Sequence, residues 1–245
     1  MTTFRLLRSI AFAALSLVAF AADPLLINVD EAHPPYMYNA DGKAEGFYSA
    51  LVQAAFQQMG VPVELAPKPW ARAIHEMDQG LSGTAGIYKN SERLKRYDYS
   101  EPLLTERLVV YSMRSNYLPF TKVEDLKGKR VGVMRGWSYG DEFDNARSAG
   151  LFKVEDVSTD EQNFLKLSTH RIDVMVAIPE SVSPLLTRFP SVVAAPTPLL
   201  EAPAYLAFSK AAGQTVLLQR FNQALKEMRK SGEFLRILTT EFTRP

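Results

Sequence analysis

Apolar and polar residues alternate along the first part of the chain as short apolar runs and as longer segments with helical spacing. In the segment FYSALVQAAFQQMG, Leu51, Ala55 and Met59 fall on one helical face. The pattern predicts a strand at 25–30, a helix at 47–60, a strand at 61–67 and a helix at 70–80. Strands that alternate with helices indicate a parallel sheet covered by helices.

The alternation begins again after a strand predicted at 107–113. This second unit is predicted to contain strands at 130–134, 153–157 and 172–178 and helices at 141–150 and 160–171. A strand at 205–210 and helices at 215–232 and 233–242 complete the predicted elements. No low-complexity linker divides the two units, which favours two lobes of one α/β protein.

The N-terminal residues have a pattern of their own. Arg5 and Arg8 precede a largely apolar run from residue 10 to residue 20, and small residues follow it. This pattern is typical of a secretory signal peptide over residues 1–21, cut near Ala21. The run is short of the roughly 20 residues that a spanning helix needs, so we expect release into a Gram-negative periplasm.

The composition argues against several chemistries. The chain has no cysteine, which removes disulfides, thiolate metal sites, a cysteine nucleophile and the usual lipid attachment point. A net charge of +1 gives no argument for nucleic acid or an anionic membrane surface. The three histidines, His33, His75 and His170, lack metal-ligand spacing, and no HExxH motif occurs. We therefore expect a protein without a cofactor that is not an enzyme.

Four segments have a combined pattern that identifies a family. They are HPPYMYNADGKAEGFYSALVQAAFQQMGV, NSERLKRYDYSEPL, LKGKRVGVMRGWSYG and FNQALKEMRKSGEFLRILTTEF, in this order along the chain. Together they resemble the bacterial extracellular solute-binding proteins of the polar amino-acid uptake type, family 3. The resemblance extends over nearly all of the chain after the signal peptide.

The resemblance implies the type II periplasmic binding protein fold, in which two α/β lobes are joined by two crossover strands. The first lobe would comprise residues 24–104 and 203–245, and the second lobe residues 105–202. The hinge would lie near LLTER and LLEAPA. A monomer of this kind would close its lobes on a small carboxylate-bearing solute and deliver it to an inner-membrane ABC permease.

In this family an arginine after a turn pairs with the ligand's carboxylate, and Arg93 falls on that position. A planar guanidinium matches the two carboxylate oxygens, and the pair is strong where water is excluded. The alternative is that Arg93 is a solvated charge beside Glu92, Lys95 and Arg96.

The segment MRGWSYGDEF gives an independent signal. A strand runs into a glycine turn and then a helix, whose free N–H groups and partial positive charge suit an anion. Gly136 allows close approach, and the Ser138 hydroxyl supplies a further donor. The resemblance assigns Ser138 to the same carboxylate, with a helix cap as the alternative.

The resemblance also supplies walls for the ligand pocket. They are His33, Tyr36, Trp70, Gly86, Tyr88 and Trp137, the last at a position where the family commonly has threonine. Gly86 and Tyr88 replace small hydroxyl residues. The alternative for each aromatic residue is a place in the core.

One position departs from the family pattern. Amino-acid binders carry an acid that pairs with the ligand's ammonium, and the matching position here is Ile178. Glu180, Glu31 or Asp30 could replace that acid, because an ammonium buried without a counter-charge is unfavourable. A ligand that is a carboxylate without an ammonium, or one of unusual shape, is equally open.

Two other functions remain open at this point. A periplasmic cyclohexadienyl or prephenate-type dehydratase on the same scaffold would hold a carboxylate with Arg93 and use Glu180 or Glu31 as general acid. A sensory binding protein would instead serve a membrane receptor. Conversion of prephenate to phenylpyruvate distinguishes the first from a binding protein.

Overall fold

The computed structural model describes residues 23–244, so the predicted signal peptide at 1–21 lies outside the described residues. The strands are β1 (Leu25–Asp30), β2 (Ala32–His33), β3 (Met37–Ala40), β4 (Lys43–Glu45), β5 (Val63–Lys68), β6 (Gly83–Tyr88), β7 (Tyr97–Tyr99), β8 (Leu104–Met113), β9 (Arg130–Met134), β10 (Lys153–Val157), β11 (Val174–Ala177) and β12 (Val192–Ser209). The helices are α1 (Phe47–Met59), α2 (Trp70–Asp78), α3 (Ser91–Arg96), α4 (Asp141–Ser148), α5 (Asp160–Ser168), α6 (Pro179–Arg188), α7 (Thr215–Ser231) and α8 (Glu233–Phe242).

Two parallel units form the two lobes, as the alternation of strands and helices predicts. In the first lobe, β1 pairs in parallel with β5 and β6. In the second lobe, β9 pairs in parallel with β10 and β11. The α/β class and the two-lobed type II fold are therefore confirmed.

The strands β8 and β12 connect the lobes. They pair with each other in antiparallel register from Val192 opposite Met113 to Ala204 opposite Leu104. β8 also pairs with β11 of the second lobe, and β12 pairs with β6 of the first lobe. The two predicted hinge segments thus lie side by side in one ladder, although the lobe boundaries themselves stay a prediction.

β12 is much longer than the strand predicted at 205–210, because it includes a proline-rich stretch that the pattern did not assign to any element. Its ladder with β8 shifts register between Ala194 and Pro198 and again between Pro198 and Leu200. Proline lacks a backbone donor and is tolerated at such irregularities. Pro196 and Pro198 therefore lie at breaks in the ladder and do not end the strand.

The C-terminal helices pack on α1. The Phe56 and Phe221 ring centroids lie 5.7 Å apart, and those of Phe47 and Phe234 lie 5.6 Å apart. In the second lobe, α5 and α6 meet through Phe164 and Phe189 at 5.3 Å. The last part of the chain consequently completes the first lobe.

Candidate functional site

A closed cavity lies where the carboxyl ends of the first-lobe strands meet β8 and the turn after β9. Its lining residues are His33, Met37, Trp70, Gly86, Tyr88, Arg93, Glu106, Trp137 and Ser138. The enclosed volume is about 10 Å³, room for about one water molecule. Both lobes contribute to the lining, so the lobes must separate before a solute can enter.

Arg93 lies inside this cavity and not in solvent. Its backbone N–H donates to the Asn90 side chain, which caps α3, and the residue is 6% exposed. Nη1 donates to the Tyr88 carbonyl and Nη2 donates to the Gly136 carbonyl, each at 3.0 Å. The solvated alternative for Arg93 is therefore wrong, and the guanidinium connects the two lobes.

The charged residues beside Arg93 lie at the surface and form ion pairs there. Lys95 pairs with Glu92, and Arg96 pairs with Asp78, with both basic side chains more than half exposed. Of the basic residues in this segment, only Arg93 points into the cavity.

The turn after β9 brings its backbone close to the first lobe. Gly136 has a φ of +79°, a left-handed conformation that favours glycine. Its carbonyl accepts a hydrogen bond from Trp70 Nε1 at 3.2 Å as well as from Arg93. The predicted close approach at Gly136 is therefore an approach of the two lobes to each other.

Trp137 is a wall of the cavity. Its ring lies 4.6 Å from the His33 ring and 5.9 Å from the Tyr88 ring, in edge-on geometry in both cases. Its Nε1 donates to Asp30 Oδ2 at 3.3 Å. Burial raises the pKa of Asp30 to about 6, although the hydrogen bonds from Ala32 and Trp137 act in the opposite direction.

Ser138 is buried, and its hydroxyl takes part in a polar network. Ser138 Oγ donates to Asp144 at 2.5 Å and accepts from Asn90 Nδ2 at 2.9 Å. The residue before α4 is Gly140, and no side chain caps the N-terminus of α4. The alternative that Ser138 is a helix cap is therefore wrong.

The N-terminus of α4 does not match the anion site that its sequence suggests. Its first turn carries Asp141, Glu142 and Asp144. Asp141 accepts hydrogen bonds from the backbone and hydroxyl of Ser91. Acidic side chains already complement the positive end of this helix, and a further anion there would meet like charge.

Two predicted site residues lie outside the cavity lining. The Tyr36 hydroxyl donates to Glu180 Oε2 at 3.2 Å, across the lobes. Glu180 lies in the first turn of α6 and lines an open groove at the surface with Pro34, Pro35 and Ser181. Tyr36 stacks on His33 with ring centroids 5.5 Å apart and so supports the cavity from behind.

His33 is fully buried as a neutral ring. Its Nε2 lies 3.3 Å from the Ser181 hydroxyl, and burial lowers the pKa of His33 to about 3. It therefore contributes an apolar wall and no positive charge at neutral pH.

No pattern of residues predicts Glu106 as a site residue; it lies on β8 opposite Ala202. The residue is 2% exposed and lines the cavity. Both Tyr48 and Tyr88 donate their hydroxyls to its carboxylate. Burial raises the pKa of Glu106 to about 7, although the tyrosine hydrogen bonds favour the ionised form.

Ile178 is fully buried in the main core and does not reach the cavity. Asp173 holds Arg130 through a bidentate ion pair. Glu31 is half-buried and also lies outside the lining. The cavity thus has one carboxylate, and it belongs to Glu106.

Within residues 23–244, no cluster of three or more His, Asp or Glu side chains could hold a metal ion. The same residues form no helix long and apolar enough to cross a membrane.

Comparison with known proteins fits this architecture. The L-cystine-binding protein TcyJ of Escherichia coli (strain K12) is 26% identical over 212 residues, covering 85% of this chain and 78% of TcyJ. The L-arginine-binding protein of Pseudomonas aeruginosa is 30% identical over 186 residues, covering 72% of this chain and 70% of that protein. The structure of an ancestral arginine-binding protein bound to arginine superimposes with a TM-score of 0.77 at 26% identity, covering 91% and 99% of the two chains.

A family model covers almost the whole described chain. The model of the bacterial extracellular solute-binding proteins, family 3, matches residues 25–244. Sequence, fold and family model agree over the same residues, and the chain therefore belongs to the bacterial extracellular solute-binding proteins, family 3.

Proposed function

We propose that this protein is a periplasmic receptor that closes its lobes on a small carboxylate-bearing solute and delivers it to an ABC permease. The observation that carries the proposal is the buried guanidinium of Arg93 in a cavity between the lobes. An arginine is rarely buried unless it is paired, and a carboxylate is its best partner in geometry and charge.

The rest of the lining supports a small organic solute. Trp70, Tyr88 and Trp137 provide aromatic surface, and Ser138 and the backbone at Gly86 provide polar groups. Ligand sites in proteins typically combine such apolar walls with a few placed polar groups. In this proposal, the seven predicted residues that line the cavity contact the ligand, and Tyr36 and Glu180 make no contact with it.

Lobe closure is the proposed mechanism of capture. Hydrogen bonds that join the lobes, such as those from Arg93 and Trp70 to Gly136, form only when the lobes approach. The crossover strands β8 and β12 would bend at the predicted hinge segments, near residues 103–107 and 199–204. The receptor would act as a monomer with the lobe boundaries near residues 104 and 203.

An amino acid is the favoured solute class because the relatives described above include an L-cystine-binding protein and an L-arginine-binding protein. A thermal-shift screen of residues 22–245 against amino acids, keto acids, dicarboxylates and oligoamines tests the proposal. A ligand at 100 times its dissociation constant stabilises the protein by about 2.7 kcal/mol.

Arg93→Lys is the diagnostic variant, with Arg96→Lys as its control. Lysine keeps the positive charge but loses the planar pair of donors. We expect Arg93→Lys to lose the shift and Arg96→Lys to keep it. A carboxylate ligand that stabilises Arg93→Lys as strongly as the wild type would contradict the proposal.

The dehydratase alternative has less support. Its two proposed acids, Glu180 and Glu31, lie outside the cavity lining. Glu106 is the remaining acid that could donate a proton there. Incubation with prephenate, followed by detection of phenylpyruvate, would reveal this activity, and we expect none.

A further inference from the structure

The cavity between the lobes contains one basic and one acidic side chain, Arg93 and Glu106. His33, which also lines it, is neutral because burial lowers its pKa to about 3. The lining thus offers one positive and one negative partner to a bound solute.

Glu106 has no cationic partner among residues 23–244, where every ion pair involves other carboxylates. The groups around it are the hydroxyls of Tyr48 on α1 and Tyr88 on β6. Burial raises the pKa of both tyrosines, so they stay neutral, and Glu180 on α6 adds a repulsive charge. A buried carboxylate in such surroundings lacks the counter-charge that usually accompanies one.

The other acids near the cavity accept hydrogen bonds from neighbouring residues and do not line the cavity. Asp30 accepts hydrogen bonds from the Ala32 backbone and from the Trp137 ring. Glu180 accepts from Tyr36 and faces the surface groove. Ile178, at the position that carries an acid in amino-acid binders, lies in the core.

We propose that Glu106 on the crossover strand is the counter-charge for a protonated amino group of the ligand, while Arg93 holds its carboxylate. The site then selects a zwitterion. The negative charge that faces the ligand's ammonium belongs to Glu106, in the ladder of β8 and β12, and not to a residue at the end of β11. This inference rests on the proposed function, because it needs a ligand bound between the lobes.

The assignment predicts a proton linkage. Glu106 is largely protonated below pH 7 in the free protein, and an ammonium binds its ionised form. Ligand binding near neutral pH therefore releases a proton, and the affinity falls as the pH is lowered. The ligand's own carboxylate, with an ordinary pKa of about 3.5, stays ionised from pH 5.5 to pH 8. The α-ammonium of a free amino acid stays largely protonated over the same range, because its pKa lies well above the value of about 8 that a peptide's α-amino group has.

The test uses the twenty common L-amino acids and L-cystine as probes, each hit being paired with the carboxylic acid that lacks its α-amino group. Dissociation constants are measured by calorimetry for the wild type, Glu106→Gln and, as a matched control, Glu180→Gln. We expect the wild type to prefer the amino acid at least tenfold, Glu106→Gln to lose that preference, and Glu180→Gln to keep it. The wild-type affinity should weaken at least tenfold from pH 8 to pH 5.5, and the Glu106→Gln affinity should not.

Tyr48→Phe provides a second variant should Glu106→Gln fail to fold. Removal of one hydroxyl from Glu106 raises the pKa of the carboxyl, so the pH at which affinity is lost should move upward. Glu106→Gln that retains the amino-acid preference, or an unchanged pH profile in Tyr48→Phe, overturns the inference.

The two proposals fail in different ways. If the wild type binds only acids without an amino group, and Arg93→Lys abolishes that binding, the role of Glu106 is wrong and the carboxylate receptor stands. If no carboxylate binds, the proposed function and the inference are both overturned.

Discussion

Arg93 Nη2 on α3 of the first lobe lies 3.0 Å from the carbonyl oxygen of Gly136 in the turn after β9. The guanidinium also holds the Tyr88 carbonyl at the end of β6. One side chain therefore joins the carboxyl ends of strands from both lobes. A group that competes for the hydrogen bonds of this guanidinium therefore alters the contact between the lobes.

We expect Trp137 to limit the size of the ligand. Trp137→Thr removes the ring that packs edge-on against His33 and Tyr88, and it should admit larger side chains to the cavity. Thermal-shift titration with a series of amino acids of increasing size measures this. We expect the preferred ligand of the variant to be larger than that of the wild type. Tyr117→Thr, at a largely exposed position, is the control and should leave the order of ligands unchanged.

Gly86 occupies a position that leaves no room for a side chain. Its φ is +81°, and a Cβ atom there would lie 2.6 Å from Met37 Cε in the cavity lining. We expect Gly86→Ala to lose about 1–2 kcal/mol from backbone strain and a further 1–3 kcal/mol from overpacking. Gly150→Ala has a similar φ of +73° with open space around the new atom, so it isolates the strain. Equal unfolding free energies for the two variants in urea titrations would contradict the crowding argument.

The buried carboxyl of Glu106 makes stability depend on pH even without ligand. Burial raises its pKa from the ordinary 4.5 to about 7, so the folded protein holds a proton that the unfolded chain releases earlier. The unfolding free energy of the wild type should therefore fall by about 2 kcal/mol relative to Glu106→Gln between pH 5.5 and pH 8. His33 acts in the opposite direction, because its pKa is lowered, but equally in both proteins. Parallel urea titrations at the two pH values measure the difference, and a constant gap would show that Glu106 is ionised throughout.

The packing of α7 on α1 should dominate the stability of the first lobe. Phe221 is fully buried against Phe56, and Phe221→Ala should lower the unfolding free energy by about 3–5 kcal/mol. Val216 lies on the same helix and is 67% exposed, so Val216→Ala should change it by less than about 0.5 kcal/mol. Thermal denaturation of the two variants provides the comparison, and similar losses would argue against a core role for Phe221.

The helices and strands with regularly spaced apolar residues could be predicted from the sequence, because they form where that spacing predicts them. Helices predicted at 47–60 and 70–80 end within two residues of α1 and α2. β6 was missed because its sequence, GTAGIY, has little apolar contrast. Its small residues serve close packing, since a Cβ atom on Gly83 would collide with Phe208 and Ile27.

The helix α6 was missed for a different reason. It contains Pro179 and Pro184, and proline disfavours a helix interior, but Pro179 occupies the first turn, where a missing donor does no harm. The helix begins directly after Ile178, so Glu180 falls on its first turn and outside the cavity lining.

The residues that line the cavity also include some that the sequence predicts and some that it does not. Seven of its nine lining residues were predicted, mainly from the resemblance of short motifs around Arg93 and Ser138. Glu106 has no local signal, because a single acid within a strand is ordinary. Its burial results from Tyr48 and Tyr88, which lie 58 and 18 positions away along the chain. Only the tertiary fold identifies such a residue.

The pairing of β12 with β6 and β8 also has a consequence for the order in which the chain acquires its structure. The first lobe needs β12 and α7, whose residues are synthesised last, whereas the elements from β9 to α6 are contiguous in sequence. Local contacts form faster than contacts between distant residues. The middle of the chain should therefore fold first, while the first lobe stays incomplete until the C-terminal segment joins it.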